Sequence, residues 1–139
     1  WLTPAVVHFS AMHIVFNLIW WVSLGDNIEN QCGKSSLIGL FLVTALISNW
    51  AQYLMVGPNF GGLSGVVYGL LGFCWIYSAL NPKQPALVTT AIVGFMLVWL
   101  VLGFADVLFV GMANWAHLGG LVSGMAFAYT AQLFKTKSG

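Results

Sequence analysis

Charge is what this sequence most conspicuously lacks. Only 5% of its 139 residues are Asp, Glu, Lys or Arg, against roughly a quarter in a typical soluble domain. No arginine occurs, and the positive charges are Lys34, Lys83, Lys135 and Lys137. So little charge cannot cover a water-facing surface. A net charge of +1 without a basic patch excludes a nucleic-acid partner. Two cysteines, Cys32 and Cys74, make no disulfide framework. Neither Cys-x-x-Cys nor His-Glu-x-x-His is present, so no metal and no cofactor are expected. What is abundant is apolar: 60% of the chain is hydrophobic. The implied solvent is lipid.

Five apolar stretches approach the length needed to cross about 30 Å of hydrocarbon as helices. They run over 5–24, 36–56, 63–80, 86–104 and 113–134. The breakers between them are "GDNIENQCGKS" (25–35), "GPNFGG" (57–62), "NPKQP" (81–85) and "ADVLFVGMAN" (105–114). The expected fold is therefore all-α: a polytopic membrane bundle with about five transmembrane helices, forming a single domain over 1–139. With five spans, Lys34, Lys83 and the C-terminus share one side, which the positive-inside rule makes cytoplasmic. The other side carries one charge, Asp106. The first, third and fifth spans start there, with "HFSAMHIVFN", "GGLSG" and "NWAHLGG".

Polar side chains at membrane depth are expensive and are read first as functional candidates. Here they are His8, His13, Asn17, Ser64, Tyr68, Asn114 and His117. Ser64 lies among Gly61, Gly62, Gly65, Gly69 and Gly72. Those glycines fit a small-residue packing face. They also fit a loop-to-helix junction that exposes a nucleophile beside free backbone amides. A serine needs a base, and His117 opens the fifth span from the same side. His117, Gly120 and Gly124 share one helical face, so close packing on the third span would bring the imidazole toward Ser64. Tyr68, one turn below Ser64, could support that ring. His13 and Asn17, at i and i+4, offer two side-chain donors of the kind an oxyanion requires, or interhelical polar contacts. Asn114 is a helix cap or a further donor. No carboxylate lies within the spans on this side, so the expected arrangement is a Ser–His dyad.

Together these segments resemble the rhomboid intramembrane serine proteases. "HFSAMHIVFN" is similar to their His-x-x-x-x-His-x-x-x-Asn, "GGLSG" followed by Tyr68 to their Gly-x-Ser-Gly, and "AHLGGLVSG" to their Ala-His-x-x-Gly-x-x-x-Gly. "GDNIENQCG" matches a Gly-x-x-x-Glu-x-x-x-Gly turn. The closest pattern is the bacterial six-helix type. The resemblance implies Ser64 as nucleophile and His117 as general base. It implies an oxyanion hole from the amides of Ser64 and Leu63 with the side chains of His13 and Asn17. Tyr68, Gly62, Gly65, His8, Asn114 and Gly120 would be supporting, and Glu29 structural on the cytoplasmic side. The implied partners are transmembrane protein substrates in the lipid bilayer of a bacterial inner membrane, cut near its outer face.

Two departures qualify the match. The family has one more helix before the segment beginning near Trp1, then a long outer loop with a Trp-Arg pair, so the chain is expected to be a fragment of a longer chain or else a divergent five-span protein. Gln31 stands where an arginine is common. The alternatives are an inactive rhomboid-like binder of membrane proteins, which would usually lack Ser64 or His117, a small polytopic transporter, and a metal or haem protein using His8, His13 and His117.

Overall fold

The computed structural model describes residues 1–108 and 111–137, with side chains through residue 134. A short 3₁₀ turn, Thr3–Val6, precedes five helices: α1 (Ala11–Cys32), α2 (Lys34–Val56), α3 (Ser64–Leu80), α4 (Thr90–Phe104) and α5 (Asn114–Lys137). No strand occurs among the described residues, and the fold is a helical bundle of membrane type. Large apolar side chains cover its outside as well as its core: Met12, Ile19, Val98 and Val101 are all mostly exposed. A helix apolar on every face needs an apolar surrounding.

The first expected span is displaced. Its helix begins at Ala11 rather than near residue 5, and it runs through the predicted break at 25–35 as far as Cys32. Ser10 caps its start, the hydroxyl accepting from the His13 amide at 3.1 Å. Gly25-Asp26-Asn27 reads locally as a turn, but Leu24, Gly25 and Ile28 are buried against the bundle while Asp26 and Asn27 face outward. Tertiary packing overrides the local preference. The true break is Gly33, whose φ of 84° a side chain would resist. The Gly33 amide closes α1 on the Glu29 carbonyl at 2.9 Å.

The fourth span also starts later than expected, at Thr90 instead of 86. Leu87 and Val88 are buried in the connecting loop, and the Leu87 amide donates to Ser78 Oγ at 2.9 Å. Thr89 then caps α4, accepting from the Ile92 amide at 3.3 Å. α2, with 23 residues, is both long and apolar enough to cross a membrane unaided, while α3 and α4 are shorter apolar helices. At about 1.5 Å per residue, α3 and α4 fall a little short of ~30 Å.

α3 is the centre of the bundle, buried along most of its length and packed on α1, α2 and α5. Its seam with α5 is the most extensive. Cβ atoms added at Gly120 and Gly124 would overlap the carbonyl oxygens of Gly65 and Gly69 respectively. Backbone therefore rests on backbone there. Beside that seam, Gly65 and Gly69 face Ser48 and Thr44 of α2, which also packs on α5.

The two ends of the bundle differ. At one, side-chain amides bind loop carbonyls and a side-chain oxygen of α5. Asn27 Nδ2 donates to Leu87 O at 3.0 Å, Gln31 Nε2 to Pro85 O at 3.1 Å, and Asn81 Nδ2 to Gln132 Oε1 at 3.2 Å. Glu29 and Lys34 pair there at 3.7 Å, an exposed ion pair worth at most about 1 kcal/mol. Gln31, which stands where an arginine is common in the family the chain resembles, is thus a loop tether. The side chains of Lys135 and Lys137 lie outside those described.

Candidate active site

The opposite end gathers the N-termini of α1, α3 and α5. Ser64 is the first residue of α3, and no side chain caps that helix. The first amides of an uncapped helix have no intrahelical acceptor and present the positive end of its dipole. Gly62, at φ 127°, makes the sharp entry. A Cβ there would lie 2.7 Å from His13 Nε2 and 3.7 Å from Asn17 Nδ2. Glycine lets the serine loop close onto those two side chains.

The glycine seam brings His117 opposite Ser64. His117 Nε2 and Ser64 Oγ are 2.8 Å apart, hydrogen-bonded across 53 residues of sequence. The imidazole is buried, 3% exposed, and its Nδ1 has no partner. Tyr68 stacks on it, with ring centres 4.7 Å apart and planes inclined by 27°. The Tyr68 hydroxyl donates to the Met96 carbonyl of α4 at 2.8 Å. The phenol thereby fixes the imidazole plane on one side and touches the facing helix on the other.

His13 and Asn17 are on one face of α1 and both line the cavity that holds Ser64. Asn17 is 5% exposed, and its Nδ2 has no hydrogen-bond partner. A buried amide donor left unpaired costs about 1–3 kcal/mol, so its natural acceptor is something that enters. The cavity encloses about 690 Å³ between α1, α3, α4 and α5, and includes Phe16, Trp20, Phe95 and Trp99. Its lining carries Ser64, His13, Asn17, Gln52 and His117 among mostly apolar side chains.

Two predicted residues are placed differently from expectation. Leu63 was expected as an oxyanion donor, but its amide proton goes to His8 Nε2 at 3.3 Å. His8 is correspondingly a partner of the serine loop. Asn114 was expected to cap α5 or face an oxyanion. It is the first residue of α5, and its Nδ2 donates to the Gly103 carbonyl near the end of α4 at 2.8 Å. The cap comes from elsewhere: Gln52 Oε1 of α2 accepts from the amides of Trp115 and Ala116 at 3.0 and 3.1 Å. Gln52 was not among the sequence candidates. Its signal was available, since it is a carboxamide inside an apolar span. Asp106, two residues past α4, sits in the left-handed region at φ 54°. Gly65 and Gly120 meet at the seam described above. Among the described residues no group of three or more His, Cys, Asp or Glu side chains converges as a metal site would require.

Comparison with known proteins gives the family. The rhomboid domain family matches residues 1–133. The rhomboid protease GlpG of Yersinia pestis (strain Pestoides F) is 42% identical over 129 residues, covering 93% of this chain and 46% of that protein. The rhomboid protease GlpG of Serratia proteamaculans (strain 568) is 43% identical with the same coverage. The chain spans about half the length of these relatives. A buried Ser–His pair set by a glycine seam, within a match across nearly the whole chain, places this protein in the rhomboid family.

Proposed function

We propose that this chain carries the catalytic site of an intramembrane serine endopeptidase that cuts transmembrane segments of other proteins near the outer membrane face. The observation that carries the reading is the 2.8 Å contact between Ser64 Oγ and His117 Nε2, in a cavity that also holds the unpaired Asn17 amide. His117 takes the Ser64 proton as Ser64 Oγ attacks the scissile carbonyl. The oxyanion accepts from the Ser64 amide, His13 and Asn17 Nδ2. Imidazolium then returns the proton to the leaving amine, and water, activated by His117, releases the acyl group. This chemistry requires no metal and no organic cofactor.

The site lies toward the end of the bundle away from Lys34 and Lys83. With those lysines and the C-terminus cytoplasmic, Ser64 opens toward the outer side of a bacterial inner membrane. An extended peptide is the reactive substrate form, because a helix shields its carbonyls. Transmembrane proteins whose helices unwind easily near the outer face are the implied partners, met within the bilayer.

The test is labelling of the detergent-solubilised full-length protein by a serine-directed fluorophosphonate, beside Ser64→Ala and His117→Ala. Labelling of the parent protein alone is the expected result. Equal labelling of all three folded proteins would sink the dyad.

A further inference from the structure

We propose that the stretch Pro4–His8, which precedes α1, is a positioning element for Ser64, and that the His8 imidazole is its decisive group. This rests on the dyad reading above and adds the question of what aims the serine. Residues 57–63 form no helix, and no side chain of α3 caps the junction from within. The two amides immediately before Ser64 both turn to the same neighbour. Gly62 N–H donates to Pro4 O at 2.8 Å, and Leu63 N–H donates to His8 Nε2 at 3.3 Å. Gly61 closes on the same stretch, since a Cβ there would lie 2.8 Å from the Val7 carbonyl oxygen. Three consecutive residues thus rest on Pro4–His8.

His8 makes two contacts that together select one tautomer. Its Nδ1 lies 3.3 Å from the Val6 carbonyl, which can only accept. Its Nε2 receives the Leu63 proton. A neutral ring protonated on Nδ1 satisfies both, and a ring protonated on Nε2 satisfies neither. The same ring meets His13 edge-on, with centres 4.9 Å apart. His8 therefore touches the 3₁₀ turn, the serine loop and an oxyanion candidate together. The stretch itself is anchored on α2: Asn49 Nδ2 donates to the Trp1 carbonyl at 2.7 Å, and the Trp1 and Tyr53 rings meet 5.2 Å apart. The mechanical path runs from α2 through residues 1–8 to Leu63 and Ser64. A misplacement of about 1 Å can cost a hundredfold in rate, so a residue that fixes the Leu63 amide acts on chemistry without touching substrate.

The experiment compares His8→Gln with His8→Leu. Glutamine can bring a carboxamide oxygen near the position of Nε2 and keep an acceptor for Leu63. Leucine fills similar space and offers none. Saturation kinetics of Ser64 labelling by the fluorophosphonate are read in the full-length protein, with the thermal unfolding midpoint alongside. His8→Leu is expected to lower the maximal labelling rate about tenfold or more with the half-saturating concentration within about twofold, while His8→Gln stays within about threefold of the parent. Parent-like labelling in His8→Leu overturns the proposal, and so does equal loss in both folded variants. If His8→Leu does not fold, His8→Gln decides: retained labelling supports the positioning role and a tenfold loss removes it. A parent protein without Ser64-dependent labelling would instead sink the dyad.

Discussion

The α3–α5 seam and the α4 wall flank the same cavity and are built in opposite ways. At the seam, Gly120 and Gly124 lie on the carbonyls of Gly65 and Gly69, and the separation is set by backbone thickness. α4 has no such contact. It leans on α5 and is joined to its neighbours through side chains: Tyr68 to the Met96 carbonyl, Asn114 to the Gly103 carbonyl, and Trp20 stacked on Phe95 with ring centres 6.2 Å apart. Gly94 of α4 has nothing within 4 Å of an added Cβ. The difference separates two demands. The hydrogen bond between Ser64 and His117 tolerates little error in helix separation, and the seam that sets that separation is backbone on backbone. A wall of a substrate-sized cavity needs shape more than precision, and it is made of side chains.

Four substitutions test that contrast, and Gly120→Ala should act most strongly. Its methyl would overlap the Gly65 carbonyl, and backbone cannot yield as a flexible side chain can. Overpacking costs about 1–3 kcal/mol, and here the strain falls on the helix pair that carries Ser64 and His117. The expected outcome is a lowered unfolding midpoint together with loss of fluorophosphonate labelling. Parent-like values of both would show that the seam is softer than its geometry.

Gln52→Leu comes next. It strands the amides of Trp115 and Ala116 at the start of α5, at a cost of about 1–3 kcal/mol. Faster hydrogen exchange at those two amides should accompany the stability loss, and unchanged exchange would argue that another acceptor serves them. Tyr68→Phe keeps the ring on His117 and removes only the bond to Met96. A loss of about 0.5–1.5 kcal/mol is expected, with labelling changed only a few-fold. A loss of labelling as large as that in His117→Ala would mean that the phenol acts on the dyad, not on the wall. Gly94→Ala is the smallest effect: open space and a helical position predict a gain of about 0.5–1 kcal/mol, measured by thermal unfolding. A clear destabilisation there would place α4 in contacts as tight as those of the seam.

Much of this site was legible in the residues. Ser64, His117, Gly120 and Gly124 could be paired from spacing alone, because a helical face carrying both an imidazole and two glycines says where the close approach is. Tyr68 followed from its place one turn below the serine. The ends of α1 were not legible. "GDN" has turn chemistry, and only the burial of Leu24 and Ile28, a property of the whole bundle, keeps the chain helical through it. Gln52 was hidden for a different reason. Its carboxamide serves a helix that begins more than sixty residues later, and no local pattern announces that partner. The same holds for Leu63: the junction was visible as a source of free amides, but not the imidazole from residue 8 that takes one of them.

The glycine contacts also act as a key for helix register. Gly120 and Gly124 are four residues apart, as are Gly65 and Gly69, so both notches engage together. A slide of α5 by one or two residues would press at least one larger side chain against the α3 carbonyls, even where Gly119 reaches Gly65, because Ser123 then meets Gly69. The alternative that again seats a glycine on Gly65 with nothing larger than alanine on Gly69 is a full four-residue step, with Gly124 on Gly65 and Ala128 facing Gly69. That step would carry His117 about 6 Å along the bundle, beyond reach of Ser64. Correct indexing of one helix against the other and assembly of the Ser64–His117 pair are thus a single event, and on the proposed function a misindexed bundle would be chemically silent rather than weakly active.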